Sequence, residues 1–156
     1  DDKIKSAVAS FKGVKRRFEY VLKNDKHILI DDYAHHPEEL KALISGVKSL
    51  YAEKPMLLVF QPHLFSRTKD LANEFAASLD KADEVVLLPI YPARELPVEG
   101  VTSALILNNM KLNDKAIMSK DELLSFIQKN KRELIVMAGA GDIDNLVQPI
   151  KEILEN

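Results

Sequence analysis

Three short and nearly unbroken apolar runs, Met56 to Phe60, Glu84 to Leu88 and Leu134 to Met137, set the strongest limit on how this chain folds. Runs of that length read as strands covered on both faces, the condition met in a parallel sheet. Between them the apolar spacing changes to the helical period. From Pro37, the residues Leu40, Leu43, Ile44, Val47 and Leu50 mark one helical face. Pro37 stands at the favoured first position, and Glu38 and Glu39 complement the positive end of the helix dipole. Leu71, Phe75, Ala76 and Leu79 make a second stripe, with Ser66 placed to cap it. A short helix near Thr102 to Asn109, a strand near Ala116 to Met118 and a helix from Ser119 to Lys129 continue the alternation. Asp142 then opens a last helix with the stripe Ile143, Leu146, Val147, Ile150 and Leu154, which Pro149 bends or whose start it shifts. Ahead of all these, Arg17 to Lys23 and His27 to Asp32 read as a hairpin joined by Asn24 and Asp25. The expected fold class is α/β: a Rossmann-like, open, mostly parallel but mixed sheet of about six strands with helices on both faces.

The chain has 156 residues, 46% of them hydrophobic, so residues 1–156 can bury one core and form a single domain. A formal net charge of −2, with the charges scattered, argues against a nucleic-acid partner. With no cysteine, a disulfide framework, thiol catalysis and thiolate metal sites are excluded. No apolar run approaches the length of a membrane span, and DDKIKSAVASFKG lacks the apolar core of a signal peptide. A cytoplasmic protein with no membrane partner is the expectation. The start at Asp1 reads as that of a piece cut from a longer chain.

Four polar clusters each follow an expected strand: Asp31 to Pro37, Gln61 to Arg67, Pro89 to Glu95, and Ala138 to Asp142. In a parallel sheet these loops meet on one rim, beyond the carboxyl ends of the strands, where ligands of α/β folds bind. Each cluster has a plainer reading as well. His35 and His36 read first as a cap and a surface residue; a zinc site would need a third ligand such as His63, and no metal residue is assigned. Asp31 and Asp32 can end a strand by accepting backbone hydrogen bonds, or one of them, preferably Asp32, can hold a ribose. Arg67, at a helix start, opposes the dipole, so helix formation does not account for it; a bidentate grip on a carboxylate or phosphate does. Gly139 and Gly141 suit a tight turn better than an anion cradle. Lys12, Lys15, Arg16 and Arg17 read as a solvated basic face, or more rarely as a phosphate contact.

Taken in order, Phe11 to Glu19, DDYAHHP at Asp31 to Pro37, FQPHLFSRT at Phe60 to Thr68, Tyr91 to Glu95 and Gly139 to Ile143 resemble the C-terminal domain of the Mur ligases over essentially the whole chain. Within that family they are most similar to the branch that joins L-alanine to UDP-N-acetylmuramate. The resemblance implies a three-domain enzyme of peptidoglycan synthesis that uses ATP and Mg2+, the metal being held mainly by the central domain. The chain lacks the G-x-x-G-K-[ST] signature of an ATP-phosphate loop, so it is expected to be inactive alone. Its implied partners are its own N-terminal and central domains and the ligands ATP, L-alanine and UDP-N-acetylmuramate.

Carried over residue by residue, the resemblance makes Arg17, Asp32 and Tyr33 cofactor-binding residues, with Arg17 near the nucleotide phosphates and Asp32 on the ribose. It makes His35, His63 and Arg67 substrate-binding residues around the amino acid, with Arg67 clamping its carboxylate and His35 catalytic as an aid to deprotonating the amine. Some relatives carry a second arginine where this chain has Leu64, so either Arg67 suffices or another group such as Arg94 contributes. Two other functions are weighed beside this one: a peptidoglycan-recycling ligase that attaches a peptide to the same sugar nucleotide, and a stand-alone nucleotide-binding module without catalysis.

Overall fold

The structure, a computed structural model, describes residues 15–156. Phe11 to Val14 of the basic motif, Lys12 among them, therefore lie outside the described residues. β1 (Glu19–Lys23) pairs antiparallel with β2 (Ile28–Asp32), and the register is irregular between Tyr20 and Leu22. The Asn24 side chain closes the turn, accepting the N–H groups of Lys26 and His27 at 2.9 and 2.8 Å. The first strand begins at Glu19 rather than at the expected Arg17, because Arg16 and Phe18 hold φ at +61° and +47°. Left-handed residues leave the extended conformation a strand needs.

The remaining elements follow in the expected order. They are α1 (Pro37–Leu50), β3 (Met56–Phe60), α2 (Phe65–Leu79), β4 (Glu84–Leu87), α3 (Ala104–Leu107), β5 (Lys115–Ile117), α4 (Lys120–Lys129) and β6 (Leu134–Ala138). A 3-10 turn at Asp142–Leu146 then leads into α5 (Val147–Glu155). Pro149 becomes the third residue of α5, where its missing N–H has no intrahelical partner to lose. It thus shifts the start of the α-helix. Two helical expectations are corrected. Leu50 is 61% exposed, outside the buried stripe. Ser66 does not cap α2: Leu64 takes that position, and Ser66 lies within the first turn.

The sheet order is β1-β2-β6-β3-β4-β5, with every pair after the hairpin parallel. Strand alternation sends Met56, Leu58 and Phe60 to one face with Leu40, Ile44 and Phe75, and Leu57 and Val59 to the other with Leu123, Ile127 and Ile150. Each of these side chains contributes roughly 1.5–3 kcal/mol by leaving water. Two apolar layers therefore sandwich the sheet, with α1, α2 and α3 on one face and α4 and α5 on the other.

That division positions the site. The chain leaves β2 and β3 towards α1 and α2, whereas β6, lying between them, leads to α5 on the opposite face. Loops diverging from neighbouring parallel strands open a crevice at their carboxyl ends. Here the crevice flanks the end of β6.

Candidate active site

All four polar clusters reach this rim. The β2 loop is built by carboxylates used locally. Asp32 accepts the N–H groups of Phe18 and Ala34, each at 2.8 Å, so its first task is to fold the loop; further lone pairs stay open to a hydroxyl. Glu39 accepts the N–H of His36 at 3.0 Å and that of His35 at 3.4 Å, which fastens both histidines to the start of α1.

The β3 loop turns at Leu64, whose φ is +75°. For a bulky side chain this is a strained backbone, and such strain persists only where its surroundings hold it. Here the Leu64 N–H donates to the Tyr91 carbonyl at 2.9 Å, the Tyr91 N–H donates to the Pro62 carbonyl at 2.8 Å, and the Leu64 carbonyl accepts the Thr68 hydroxyl at 2.8 Å. The sharp turn brings His63 and Arg67 together: an Arg67 guanidinium N–H donates to His63 Nδ1 at 3.3 Å. His63 also stacks on Tyr91, with ring centroids 5.6 Å apart.

From this fixed pair the aromatic contacts run on to β2. The centroids of His63 and His35 are 6.0 Å apart, and those of His35 and Tyr33 are 5.2 Å apart, both edge-on. Tyr33, His35, His63 and Arg67 therefore form one continuous surface, with Asp32 beside it. Arg17 is exposed, and it is Arg16 that reaches inward, its guanidinium 4.9 Å from the Tyr33 ring centroid. Arg94 is exposed. It is Glu95 that joins the rim, accepting both the N–H of Ser66, at 3.1 Å, and its hydroxyl at the start of α2. The Ser66 hydroxyl, the Ser66 N–H and the nearby Arg67 hold the Glu95 carboxyl below the usual carboxylate range against a small opposing effect of burial.

The two central histidines differ in chemical capacity. Because His63 Nδ1 accepts from Arg67, its other nitrogen carries the proton when the ring is neutral. His35 Nδ1 lies 3.0 Å from the Tyr33 carbonyl, which only accepts, so Nδ1 donates and Nε2 keeps a free lone pair. His35 is thus the imidazole placed to take a proton. Burial, then Arg67 and His35, push the His63 ring below the ordinary imidazole value, with Glu95 opposing. The same causes lower His36, with Glu39 opposing.

Sequence reasoning missed the residue on which the β3 and β6 loops depend. Gln61 is 3% exposed; its amide N–H donates to Asp142 at 2.7 Å and its carbonyl accepts the Ile143 N–H at 3.1 Å. Asp142 in turn accepts from Lys120 at 2.6 Å. Burial opposes ionisation of Asp142, but Lys120 and Gln61 outweigh it and hold the carboxyl low. The one available signal was a glutamine directly after an entirely apolar strand. The glycine loop is a packing turn: a Cβ on Gly141 would lie 2.5 Å from Tyr91 and 2.6 Å from Gln61. Its carbonyls face the Arg16 cation, so the turn does not act as an anion cradle.

His35, His36 and Glu39 bring three possible metal-ligand atoms within 4.8 Å of one another. Glu39 and His35 Nδ1 already serve backbone groups, and the Arg67 charge bears on His36. Mg2+ favours a shell of oxygens, which imidazoles beside a guanidinium do not supply. These residues do not fit it.

The model for the "Mur ligase, glutamate ligase domain" matches residues 16–141. The chain belongs to the Mur ligase family. This Mur ligase domain is 52% identical over 154 residues to the UDP-N-acetylmuramate–L-alanine ligase of Cytophaga hutchinsonii, a match that takes in 99% of the chain and 33% of the relative. It spans about a third of the length of the curated relatives it matches. Among solved structures, the UDP-N-acetylmuramate-alanine ligase of Thermotoga maritima superposes with a TM-score of 0.73 at 27% identity, over 96% of this chain and 32% of that one. A domain from a putative UDP-N-acetylmuramate:L-alanyl-gamma-D-glutamyl-meso-diaminopimelate ligase of Haemophilus ducreyi superposes with a TM-score of 0.63 at 24% identity, covering 89% of this chain and 98% of that one. That second likeness shows a shared fold, and a domain of this kind has been crystallised by itself. No helix among the described residues of the Mur ligase domain is long and apolar enough to cross a membrane.

Proposed function

We propose that this Mur ligase domain is the C-terminal, amino-acid-binding part of a cytoplasmic ligase that joins L-alanine to UDP-N-acetylmuramate at the expense of ATP. The observation that carries the reading is the contact between Arg67 and His63 beside His35, a cation for a carboxylate next to an imidazole with a free lone pair. The names of its half-identical relatives support the same substrate pair.

In the proposed reaction the muramate carboxylate takes the terminal phosphoryl group of ATP, leaving ADP and an acyl phosphate. The alanine amine attacks the acyl carbon, the C–N bond forms, the C–O bond to phosphate breaks, and inorganic phosphate leaves with the proton that the nitrogen gives up on becoming an amide. Alanine binds as a zwitterion, so its ammonium must first lose a proton. Arg67 clamps the alanine carboxylate, and His35 Nε2 receives that proton. Asp32 and Tyr33 face the ribose side of ATP, and the exposed Arg17 is available to its phosphates. Mg2+ travels with ATP and the central domain, and no residue of this chain is assigned to it. Within the whole enzyme, the other two domains supply the phosphate loop and the sugar-nucleotide site.

The test is Arg67→Ala in the full-length enzyme. The expected result is a KM for alanine raised at least tenfold with the KM for ATP changed less than threefold; an unchanged alanine KM removes Arg67 from this role. Comparing alanine with an alanyl peptide as acceptor separates this reading from a recycling ligase. Micromolar ATP binding by this chain alone would favour a stand-alone nucleotide module.

A further inference from the structure

Arg16 touches three separate parts of the rim with its side chain. Its φ of +61°, with Phe18 at +47°, folds the chain ahead of β1 so that its guanidinium turns inward while Arg17 stays exposed. One terminal nitrogen, Nη2, donates to the carbonyls of Gly139 at 2.6 Å and Gly141 at 3.3 Å, bracketing the glycine turn after β6. Nη1 lies 3.9 Å from the Asp144 carboxylate and Nε lies 3.9 Å from that of Asp31 at the end of β2. The guanidinium lies over the Tyr33 ring, and the Arg16 carbonyl accepts the Tyr33 N–H. Across the gap to Asp31, Nε of Arg16 faces Oδ2, and both Nε and the other carboxylate oxygen, Oδ1, are buried without a hydrogen-bond partner among the described residues.

We propose that Arg16 is a positioning residue that couples the nucleotide side of the rim to its amino-acid side, by tying the glycine turn to Tyr33 and, through the edge contact of Tyr33, setting the place of His35. The assignment rests on the function proposed above, and it gives the adjacent arginines different tasks. Arg16 holds protein groups in register, and Arg17 meets the ligand. The coupling is specific to a guanidinium. Only a planar fork can bond the carbonyls on either side of one turn, approach two carboxylates and cover an aromatic face at once. Lysine keeps the charge but, as a compact ammonium, fills at most one or two of those places.

The test uses Arg16→Lys in two settings. In this chain alone, nitrogen and carbon NMR reads the amides of Gly139 and Gly141 and the ring signals of Tyr33 and His35, with the amides of Gly100 and of Asn130, at the far end of α4, as internal controls. The expected result is displacement of the four rim signals with the two control amides unmoved, in a protein that still unfolds cooperatively. Rim signals that stay in place, or a general shift that includes Gly100 and Asn130, overturn the proposal. In the full-length ligase the same variant should raise KM for both ATP and alanine about tenfold, whereas Arg17→Ala raises KM for ATP only. KM values within twofold of the parent for both substrates also overturn it. If the parent shows no alanine-adding activity, the functional reading fails, and the NMR result alone decides whether Arg16 organises the rim.

Discussion

Replacing Gln61 by leucine tests whether the rim is held by one buried amide. The variant keeps nearly the same volume and removes both hydrogen bonds. Loss of the bond to the Asp142 carboxylate costs about 1 kcal/mol, less than the usual 1.5–3 for a charged acceptor, because Lys120 still partners that carboxylate. The buried Ile143 N–H is left without an acceptor, which costs about 1–3 kcal/mol more. The sum is roughly 2–4 kcal/mol, or roughly 4–16 °C in Tm for a domain of this size. Urea denaturation read by circular dichroism measures it, and hydrogen exchange at Ile143 should accelerate selectively. Gln61→Glu gives the second arm. Its carboxylate can still accept from Ile143 but stands against Asp142, so its folded-state pKa is raised. Its stability relative to the parent should be greatest below about pH 4.3, the reference value for glutamate, and fall as pH rises through the raised value. A Gln61→Leu variant within about 0.5 kcal/mol of the parent would refute the reasoning, because an orphaned buried N–H cannot be that cheap.

Gly141→Ala should cost at least about 1–3 kcal/mol by overpacking against Tyr91 and Gln61, whereas Gly46→Ala, inside α1 and with Phe18 no nearer than 3.9 Å to the new methyl, should gain about 0.5–1 kcal/mol; paired urea curves compare them. Asp32→Asn leaves either Phe18 or Ala34 without a side-chain acceptor, so the expected outcome is a loss of about 1–2 kcal/mol together with a raised KM for ATP. A kinetic effect without any stability loss would show that its backbone bonds are dispensable. The His63 ring should titrate below the ordinary imidazole value of 6.5 in proton NMR, and Arg67→Met should bring the midpoint part of the way back. Because the folded value is depressed, the stability linked to His63 is present above pH 6.5 and is lost as pH falls through the lowered midpoint.

The fold was largely legible because its signals are local. An unbroken run such as Met56 to Phe60 has few ways to hide every side chain, and a parallel strand between two helical layers is the short one. The start of α4 is equally local: at Ser119, where the helix was expected to open, the serine caps it by accepting the N–H of Glu122 three residues on. Errors came where a residue answers to a distant partner. Ser66 looked like a cap until Glu95, 29 residues away, took its N–H and its hydroxyl. At the candidate site, Tyr33, His35, His63 and Arg67 were singled out through whole motifs, and their meeting on one rim followed from strands that run the same way.

Periodicity and composition by themselves determined that this chain makes a two-faced parallel sheet with its polar loops on one edge, because burying apolar strands leaves no other place for those loops. Only the tertiary structure decided what each polar group does there. In sequence Arg16 and Arg17 are the same residue twice, and Asp31 and Asp32 likewise. Two left-handed residues and the strand pleat then put Arg16 and Asp31 inside, where burial drives the Asp31 carboxyl up to about 6 despite Arg16, and leave Arg17 outside. A side chain's chemistry depends on the neighbours and the water it keeps, and these are set by contacts between residues far apart in the chain.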